Sequence, residues 1–577
     1  IMDEDTCMVD LARYFLTFTQ NESCGKCTPC RLGTRQMLTI LEDICKGKGQ
    51  AGDIELLQEI GDTVKKASLC GLGQTAPNPV LTTIKYFREE YEEHIKEKKC
   101  RSAVCPEIVQ APCKHTCPAQ VDAPRYIRLI EQGDFESARK VVQERIPFAW
   151  VCGLVCFHPC ETRCKRGMVD EPIAIRALKR SAVEFGKGIE DEGKMLVKAS
   201  GKRVAIIGSG PAGLSCAYYL RKLCGHEVDV YEALAKPGGM LRYGIPEYRL
   251  PQKVLDKEIT RIEKLGVKIK TNQKITDLKA LRKKYDALFL AMGAMENIPL
   301  GIPGENLEGM LNCITFLRDV KMGKKIRLGE ELGVIGGGNS AIDTARTALR
   351  LGADKVTILY RRTEKEMPAS AEEIEEAKKE GVKIEFLVAP VKAEHKDAKI
   401  QLTLQRMNLG DIDKSGRPRP VPIVGSEFKL KFDQVITAIG QRPAISKKLG
   451  LQLNSTGTIK VNPETLETSI KGVFAGGDVV LGPASVVEAI AMGRKASVAI
   501  DRYLGGRGII DEKLVKEELG KSKLPRGEEK KERRRERMRF TNPRERIKNF
   551  RMVELGYSKA QSCKEASRCL QCDLEEK

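Results

Sequence analysis

The sequence predicts an α/β chain in which two parallel-sheet nucleotide-binding domains are interleaved and stand behind an all-α, cysteine-rich region. Three observations carry this. Strand-and-helix alternation runs from Lys202 to about Leu504. Within it, two glycine-rich turns each follow an apolar strand and open a helix: RVAIIGSGPAGLSCAYYL (Arg203 to Leu220) and LGVIGGGNSAIDTARTAL (Leu332 to Leu349). Clustered cysteines lie on both sides of the pair.

Size and composition set the frame. A chain of 577 residues is long enough for three or four domains, each with its own core. With 41% hydrophobic and 31% charged residues it reads as a globular, soluble protein. Apolar runs such as Ala287 to Ala294 fall far short of the roughly 20 residues a membrane span requires. No basic, apolar leader opens the sequence, so a cytoplasmic location and no membrane span are expected. Most of the 20 cysteines stand two to four residues apart, a spacing that in a long chain favours metal over disulfides. With only five histidines, thiolate sites holding iron-sulfur clusters or zinc are expected.

The net charge of +20 is uneven. Lys521 to Arg539 holds ten Lys or Arg against four Glu. That run reads as a solvated linker or helix, or as a docking surface for an acidic redox partner such as ferredoxin. Nucleic acid is not expected as a partner, because no recognition motif or interleaved aromatic residues accompany the run.

In the first fingerprint Gly208 permits the tight turn and Gly210 lets the backbone approach a pyrophosphate. Gly213 lets helix and strand pack, and Pro211 and Ala212 open the helix whose N-terminus faces the phosphates. Glu232, ending the next strand, is placed to accept hydrogen bonds from a ribose. Farther on, GGDVVLGPASVVEAIAMGRKA supplies Gly477, Asp478, Ser485 and Val486 as a second half of the site. That segment resembles the FAD-closing motif of flavoproteins with two dinucleotide domains. The expected FAD site also takes in Gly239, Met240, Leu241, Arg249, Ala291 and Gly293.

The second fingerprint, with Gly336, Gly338, Asn339, Ser340 and Ala341, belongs to an insertion within that first domain. Arg361 and Arg362 end its next strand, where an NAD site carries an acid. Guanidinium groups there bind a 2′-phosphate, so NADP(H) is expected rather than NAD(H). Both domains are therefore Rossmann-like, one for FAD and one for NADP. No catalytic side chain is expected, since hydride passes directly from nicotinamide to flavin.

Before them, ESCGKCTPCR supplies Cys24, Cys27 and Cys30, with Cys70 following in SLCGLG. Three close thiolates and a remote fourth suit a [4Fe-4S] cluster, with zinc as the alternative. Together with DTCMVDLARYFLTFTQ, these residues resemble the cluster-bearing end of the NADH-oxidising flavoprotein subunit of complex I and of bifurcating hydrogenases. The resemblance covers residues 1 to about 108 and implies a cluster module without the family's FMN site. Cys7, His94, Cys100 and Cys105 offer one imidazole and three thiolates, a sensible zinc set, against free cysteines as the alternative.

The next group is APCKHTCPAQ (Cys113, Cys117) and VCGLVCFHPCETRC (Cys152, Cys156, Cys160, Cys164). With the dinucleotide domains it resembles three relatives over residues 110 to 505. These are the small subunit of glutamate synthase, the large subunit of NADH-dependent ferredoxin:NADP oxidoreductase, and dihydropyrimidine dehydrogenase. The resemblance implies two [4Fe-4S] clusters here, three in the chain. The family's C-x2-C pair is missing ahead of Cys113, and EASRCLQC near the C-terminus carries Cys569 and Cys572 instead. A tail folding back is inferred, giving one cluster Cys113, Cys164, Cys569 and Cys572. The other takes Cys117, Cys156 and Cys160. The family often has Glu or Gln where this chain has Lys179, which cannot ligate iron, so Cys152 is the substitute. Cys45, Cys216, Cys224, Cys313 and Cys563 lack ligand spacing and read as packing residues. Phe148 and Trp150 are expected beside a cluster. No C-x-x-C lies in the nicotinamide domain, which argues against a disulfide relay.

The expected domains are 1–108 and 109–200 (helical, iron-sulfur), 201–325 (FAD, first part), 326–428 (NADP(H)), 429–505 (FAD, second part) and 506–577 (basic extension). The combined resemblances imply the NADP(H) subunit of a Stn-type, electron-bifurcating transhydrogenase. Its implied partners are an FMN- and NADH-binding iron-sulfur subunit, a small 2Fe-2S subunit and, directly or through them, ferredoxin. The alternatives are an electron-input subunit of a glutamate synthase, hydrogenase or formate dehydrogenase, or a non-catalytic electron-wiring scaffold.

Overall fold

The computed structural model describes residues 6–105, 107–109, 111–187, 195–413, 416–516 and 533–574. The four longest helices of the first module are Met8–Asn21, Thr34–Cys45, Asp53–Ala67 and Asn78–Glu92. Apolar residues at three- and four-residue spacing put Val9, Ala12, Leu16, Met37, Leu41, Ile44, Leu57, Val80 and Ile84 into its core. A second helical group follows: Ala123–Glu131, Phe135–Gln143, Ala149–Val155 and Ile175–Phe185. It shares a continuous apolar core with the first nucleotide domain, so the clusters expected there are rooted in the flavin-side body.

That domain is built on a five-stranded parallel sheet, in the order Val473–Ala475, Ala287–Leu290, Arg203–Ile207, Glu227–Tyr231, Lys268–Lys270. Its central strands Arg203–Ile207 and Ala287–Leu290 are nearly continuous apolar runs, as strands buried on both faces are. The edge strand Val473–Ala475 comes from the far side of the insertion, which is how the chain returns to its first domain. The inserted domain has its own five-stranded parallel sheet, ordered Met310–Asn312, Gln434–Thr437, Glu331–Ile335, Lys355–Tyr360, Lys383–Phe386. A two-stranded ribbon, Glu296–Asn297 with Gln441–Arg442, lies where the chain leaves and re-enters the first domain.

The inserted sheet reaches beyond the expected 326–428 at both ends. The cause is that Met310–Asn312 and Gln434–Thr437 have only three and four residues, too short to show a period of their own. An antiparallel sheet of Val388–Lys396, Lys399–Ile412, Pro418–Pro422 and Phe428–Phe432 also departs from the expected strand-and-helix alternation.

The C-terminal segment packs on the helical region. Helix Lys559–Ala566 lies on the second helical group, with the Ser562 hydroxyl 2.8 Å from that of Ser181 and the Cys563 thiol donating to the Ile130 carbonyl at 3.1 Å. Residues 517–532 of the basic run lie outside the described residues. In the described part Arg535 pairs with Glu161 and Arg537 with Glu171, both at 2.8 Å, while Arg533, Arg534, Arg537 and Arg539 are exposed. Among the described residues no helix is long and apolar enough to cross a membrane.

Candidate redox-cofactor sites

The first fingerprint surrounds a cavity of about 330 Å³. The three glycines divide the work. Gly208 has φ +107°, and a Cβ there would stand 2.3 Å from the Ala291 carbonyl oxygen; one on Gly213 would stand 2.0 Å from the Gly208 carbonyl oxygen. Gly210 meets nothing within 4 Å on that side and lines the cavity, which leaves room for a pyrophosphate at the N-terminus of helix Pro211–Lys222. Pro211, Ala212, Glu232, Gly239, Met240, Leu241, Ala291, Gly293, Gly477, Asp478, Ser485 and Val486 line it too. Gly213 sits behind, as packing. Glu232 accepts from the Ser209 and Leu234 N–H groups at 3.1 and 2.8 Å, and from the Ser209 hydroxyl, so it braces the loop as well as facing the cavity. Burial pushes the Asp478 carboxyl up to about 6. Ser485 caps helix Val486–Tyr503, and Gly493 lets that helix close on Ala212.

Arg249 is the exception. It does not line this cavity; its guanidinium is buried in an ion pair with Asp343 of the inserted domain at 2.8 Å. As the last residue of the turn Gly244 to Arg249 it stands at the junction of the two domains. In its place Arg318, which the sequence did not single out, faces the flavin-side cavity.

A second cavity of about 520 Å³ lies over the second fingerprint, lined by Gly336, Gly338, Ser340, Arg361, Arg362 and Arg417 among others. Gly336 has φ +139° and abuts the Ala438 carbonyl. Asn339 instead accepts from the Ser370 N–H at 3.3 Å, and Ala341 is fully buried in the core. The two arginines part company. Arg362 is 2% exposed, donates to the Pro418 carbonyl at 2.8 Å and pairs with Asp413 at 2.6 Å. It anchors the hairpin between Lys399–Ile412 and Pro418–Pro422. Arg361 stays exposed at the cavity, and Arg417, on the hairpin, joins it. Cys313, expected as packing, is buried yet borders the same cavity.

Most of the cysteines gather into sets. Cys113, Cys164, Cys569 and Cys572 line one small, mostly apolar cavity with Ile127, Ile173 and Ile175, so the tail delivers its two thiols across more than four hundred residues of sequence. Four sulfurs converging on an apolar hollow suit a cluster, whose cubane spreads its ligands farther than one ion does. Cys117, Cys152, Cys156 and Cys160 all act electrostatically on the buried Lys179 ammonium. Burial alone would depress that ammonium; the thiolates outweigh it and hold it above its ordinary value. Phe148 is fully buried on the same helix approach, and Trp150 lies under Lys257.

In the first module Cys30 is buried and contacts the Ser23 hydroxyl at 3.3 Å, while Cys27 lies against Ser68 and Leu69, the residues that lead to Cys70. Cys24 and Cys70 are exposed, so this set is at the surface. Cys7, His94, Cys100 and Cys105 are all buried with their ligand atoms within 4.8 Å of one another. Cys7 and Cys105 each lie 3.5 Å from His94 Nε2. His94 Nδ1 donates to the Glu90 carbonyl at 2.7 Å, which fixes the tautomer and leaves the Nε2 lone pair facing the thiols. Cys45, expected as packing, is buried beside Cys105.

Three stretches of the chain match known families. Residues 202–493 match the pyridine nucleotide-disulphide oxidoreductase family. Residues 10–94 match the NADH-ubiquinone oxidoreductase-F iron-sulfur binding region, and residues 83–189 the 4Fe-4S domain II of dihydropyrimidine dehydrogenase. The NADP(+)-dependent formate dehydrogenase subunit beta of Moorella thermoacetica is 38% identical, over 96% of this chain and 88% of that one. The NADPH-Fe(3+) oxidoreductase subunit beta of Geobacter sulfurreducens is 37% identical, over 97% and 90%. The glutamate synthase [NADPH] small chain of Halomonas elongata is 32% identical, over 74% and 95%. The chain is thus an oxidoreductase of the pyridine nucleotide-disulphide oxidoreductase family, with an FAD/NADP-binding body joined to 4Fe-4S iron-sulfur regions.

Proposed function

We propose that this chain is the NADP(H)-handling subunit of a multi-subunit redox complex. The observation that carries the reading is one continuous body holding a nicotinamide-side cavity, a flavin-side cavity and two thiol sets rooted in the flavin-side core, with a further thiol set at the surface. When bound, FAD exchanges a hydride with NADP(H) and single electrons with [4Fe-4S] clusters.

The chain's own residues hold and orient these groups. Gly210 and the N-terminus of helix Pro211–Lys222 receive the FAD pyrophosphate, Glu232 its ribose and Asp478 the far end of the site. Gly338 and Ser340 receive the NADP pyrophosphate, and Arg361 with Arg417 the 2′-phosphate. The three clusters take Cys24, Cys27, Cys30 and Cys70; Cys113, Cys164, Cys569 and Cys572; and Cys117, Cys152, Cys156 and Cys160. Zinc takes Cys7, His94, Cys100 and Cys105, a set too compact and too buried for a cubane. No acid or base is required, because hydride transfer depends on proximity and alignment. A cytoplasmic location, where iron-bound thiolates persist, goes with this reading.

The finer reading is an electron-bifurcating transhydrogenase in which a separate FMN-bearing subunit handles NADH and ferredoxin. The surface position of Cys24 and Cys70 supports an exit toward such a partner. A second reading, input to a formate dehydrogenase, is favoured by the name of the Moorella relative. Anaerobic purification from the native host, with mass spectrometry of whatever accompanies the chain, separates them: an FMN- and NADH-binding subunit supports the first, a formate-oxidising subunit the second. Material containing neither flavin nor iron after reconstitution refutes both.

A further inference from the structure

One buried cation has no carboxylate partner among the described residues. Lys179 stands mid-way along helix Ile175–Phe185 and is 6% exposed. Among the described residues no carboxylate pairs with its ammonium, although its helix neighbours are fully engaged: Arg176 with Glu554, and Arg180 with Glu184.

The backbone fixes where Lys179 lies. One turn earlier, the Arg176 N–H donates to Glu161 at 2.9 Å, beside Cys160. One residue later, the Arg180 Cα is 2.8 Å from where a Cβ on Gly153 would stand, beside Cys152. Lys179 is therefore held between the two segments that bring in Cys152, Cys156 and Cys160, and those thiols with Cys117 are the groups that act on it. The other charges bordering the set are already committed. Glu161 pairs with Arg535, and Glu258 accepts the Trp150 and Val151 N–H groups at 2.7 and 3.0 Å. By contrast, at the cavity of Cys113, Cys164, Cys569 and Cys572, the buried Arg166 is neutralised by Asp170.

We propose that Lys179 is a fixed counter-cation for the cluster held by Cys117, Cys152, Cys156 and Cys160, raising that cluster's reduction potential above what a neutral residue would give. The inference rests on the reading above that these four thiolates hold a [4Fe-4S] cluster. Four thiolates around such a core make a doubly negative unit, triply negative after it accepts one electron from the chain's reduced flavin. No bond forms or breaks and no proton moves. A buried cation attracts the more negative state more strongly, and poor screening in a dry core makes the difference count. Lys179 acts through the cluster's charge and is a positioning residue, since it donates nothing to the metal.

The test is an EPR-monitored potentiometric titration of the full chain, purified without oxygen, as wild type, Lys179→Met and Lys179→Arg. Lys179→Met is expected to shift one cluster's one-electron equilibrium at least tenfold toward the oxidised form, ~59 mV lower, with the other clusters unmoved and Lys179→Arg close to wild type. Unmoved midpoints in an iron-replete Lys179→Met chain overturn the proposal, as does an equal shift in Lys179→Arg. If Lys179→Met loses that cluster's iron, Lys179→Gln and Lys179→Arg decide: iron kept with Arg alone supports a required cation, and iron lost from all three overturns it. A wild-type chain lacking the second cluster's iron and signal refutes the underlying cluster assignment instead, and is seen before any variant is made.

Discussion

The two adjacent arginines show how much one position decides. Arg361 and Arg362 are equivalent as letters in a strand end, yet one is exposed at the cavity and the other is spent on Asp413 and a backbone carbonyl. Charge-assisted hydrogen bonds are worth about 1.5–3 kcal/mol, so Arg361→Ala and Arg417→Ala should each weaken NADPH binding roughly tenfold or more while leaving NADH binding nearly unchanged. Arg362→Ala should instead weaken both nucleotides, because it removes the pair with Asp413 and the bond to the Pro418 carbonyl that hold the hairpin. Dissociation constants for the two nucleotides check this; equal losses for Arg361→Ala would remove it from the 2′-phosphate site. The sequence pointed to the right corner of the domain because a strand-end residue must face the fingerprint. It did not show which arginine is free, since Asp413 lies fifty-one residues away on a hairpin with no periodic signal. The compact set of Cys7, His94, Cys100 and Cys105 was legible from ligand types alone. The Glu90 carbonyl that orients the His94 ring was not. If zinc occupies this set, His94→Ala should abolish it while leaving the iron, measured by elemental analysis; zinc retained in full, or absent from the wild type, would dismiss the site.

At the scale of elements, the glycine turns and the parallel strands they follow were readable because each needs a particular residue at a particular place. Gly208 and Gly336 occupy positive φ against a carbonyl, where any side chain is strained. The joints between helical and sheet domains were not readable, because they depend on side chains meeting across distant segments. Glu258 is such a joint. From helix Gln252–Lys264 it caps the N-terminal end of helix Ala149–Val155, which carries Cys152. Burial pushes its carboxyl up to about 7, against an ordinary 4.5, with Arg261 and the two N–H groups opposing. A carboxyl whose folded pKa is raised binds its proton more tightly in the folded state, so its contribution to stability is greatest below pH 4.5. It declines as pH rises through about 7. The full window is worth on the order of 3 kcal/mol. Glu258→Gln keeps an acceptor for the helix end and removes the titration. The difference in thermal midpoint, wild type minus variant, should therefore fall between pH 4.5 and 7; a constant difference would show that this carboxyl does not titrate there.

For the whole molecule the described tail is a strap. Its residues reach three bodies: Glu554 pairs with Arg176 of the second helical group at 2.8 Å, the Val553 N–H donates to the Tyr248 carbonyl of the flavin-side domain at 3.1 Å, and Arg546 pairs with Glu380 of the inserted domain at 2.7 Å. Beyond them Arg128 pairs with Asp573 at 2.6 Å, closing the segment that carries Cys569 and Cys572. The strap and the cluster ligands are thus separable along the chain. Ending the chain after Ser558 keeps the three contacts and deletes both thiols. That truncation should cost one cluster's iron of three while NADPH still bleaches the flavin, because neither nucleotide cavity touches the deleted residues. Ending it after Leu514 deletes the strap as well, and should weaken NADPH-driven bleaching in addition, since the inserted domain then loses Arg546 from the buried pair with Glu380. Iron analysis and stopped-flow absorbance read the two outcomes independently. An unchanged iron count in the shorter deletion would show that Cys569 and Cys572 hold no cluster, and equal bleaching rates in both would show that the strap does not hold the nicotinamide domain.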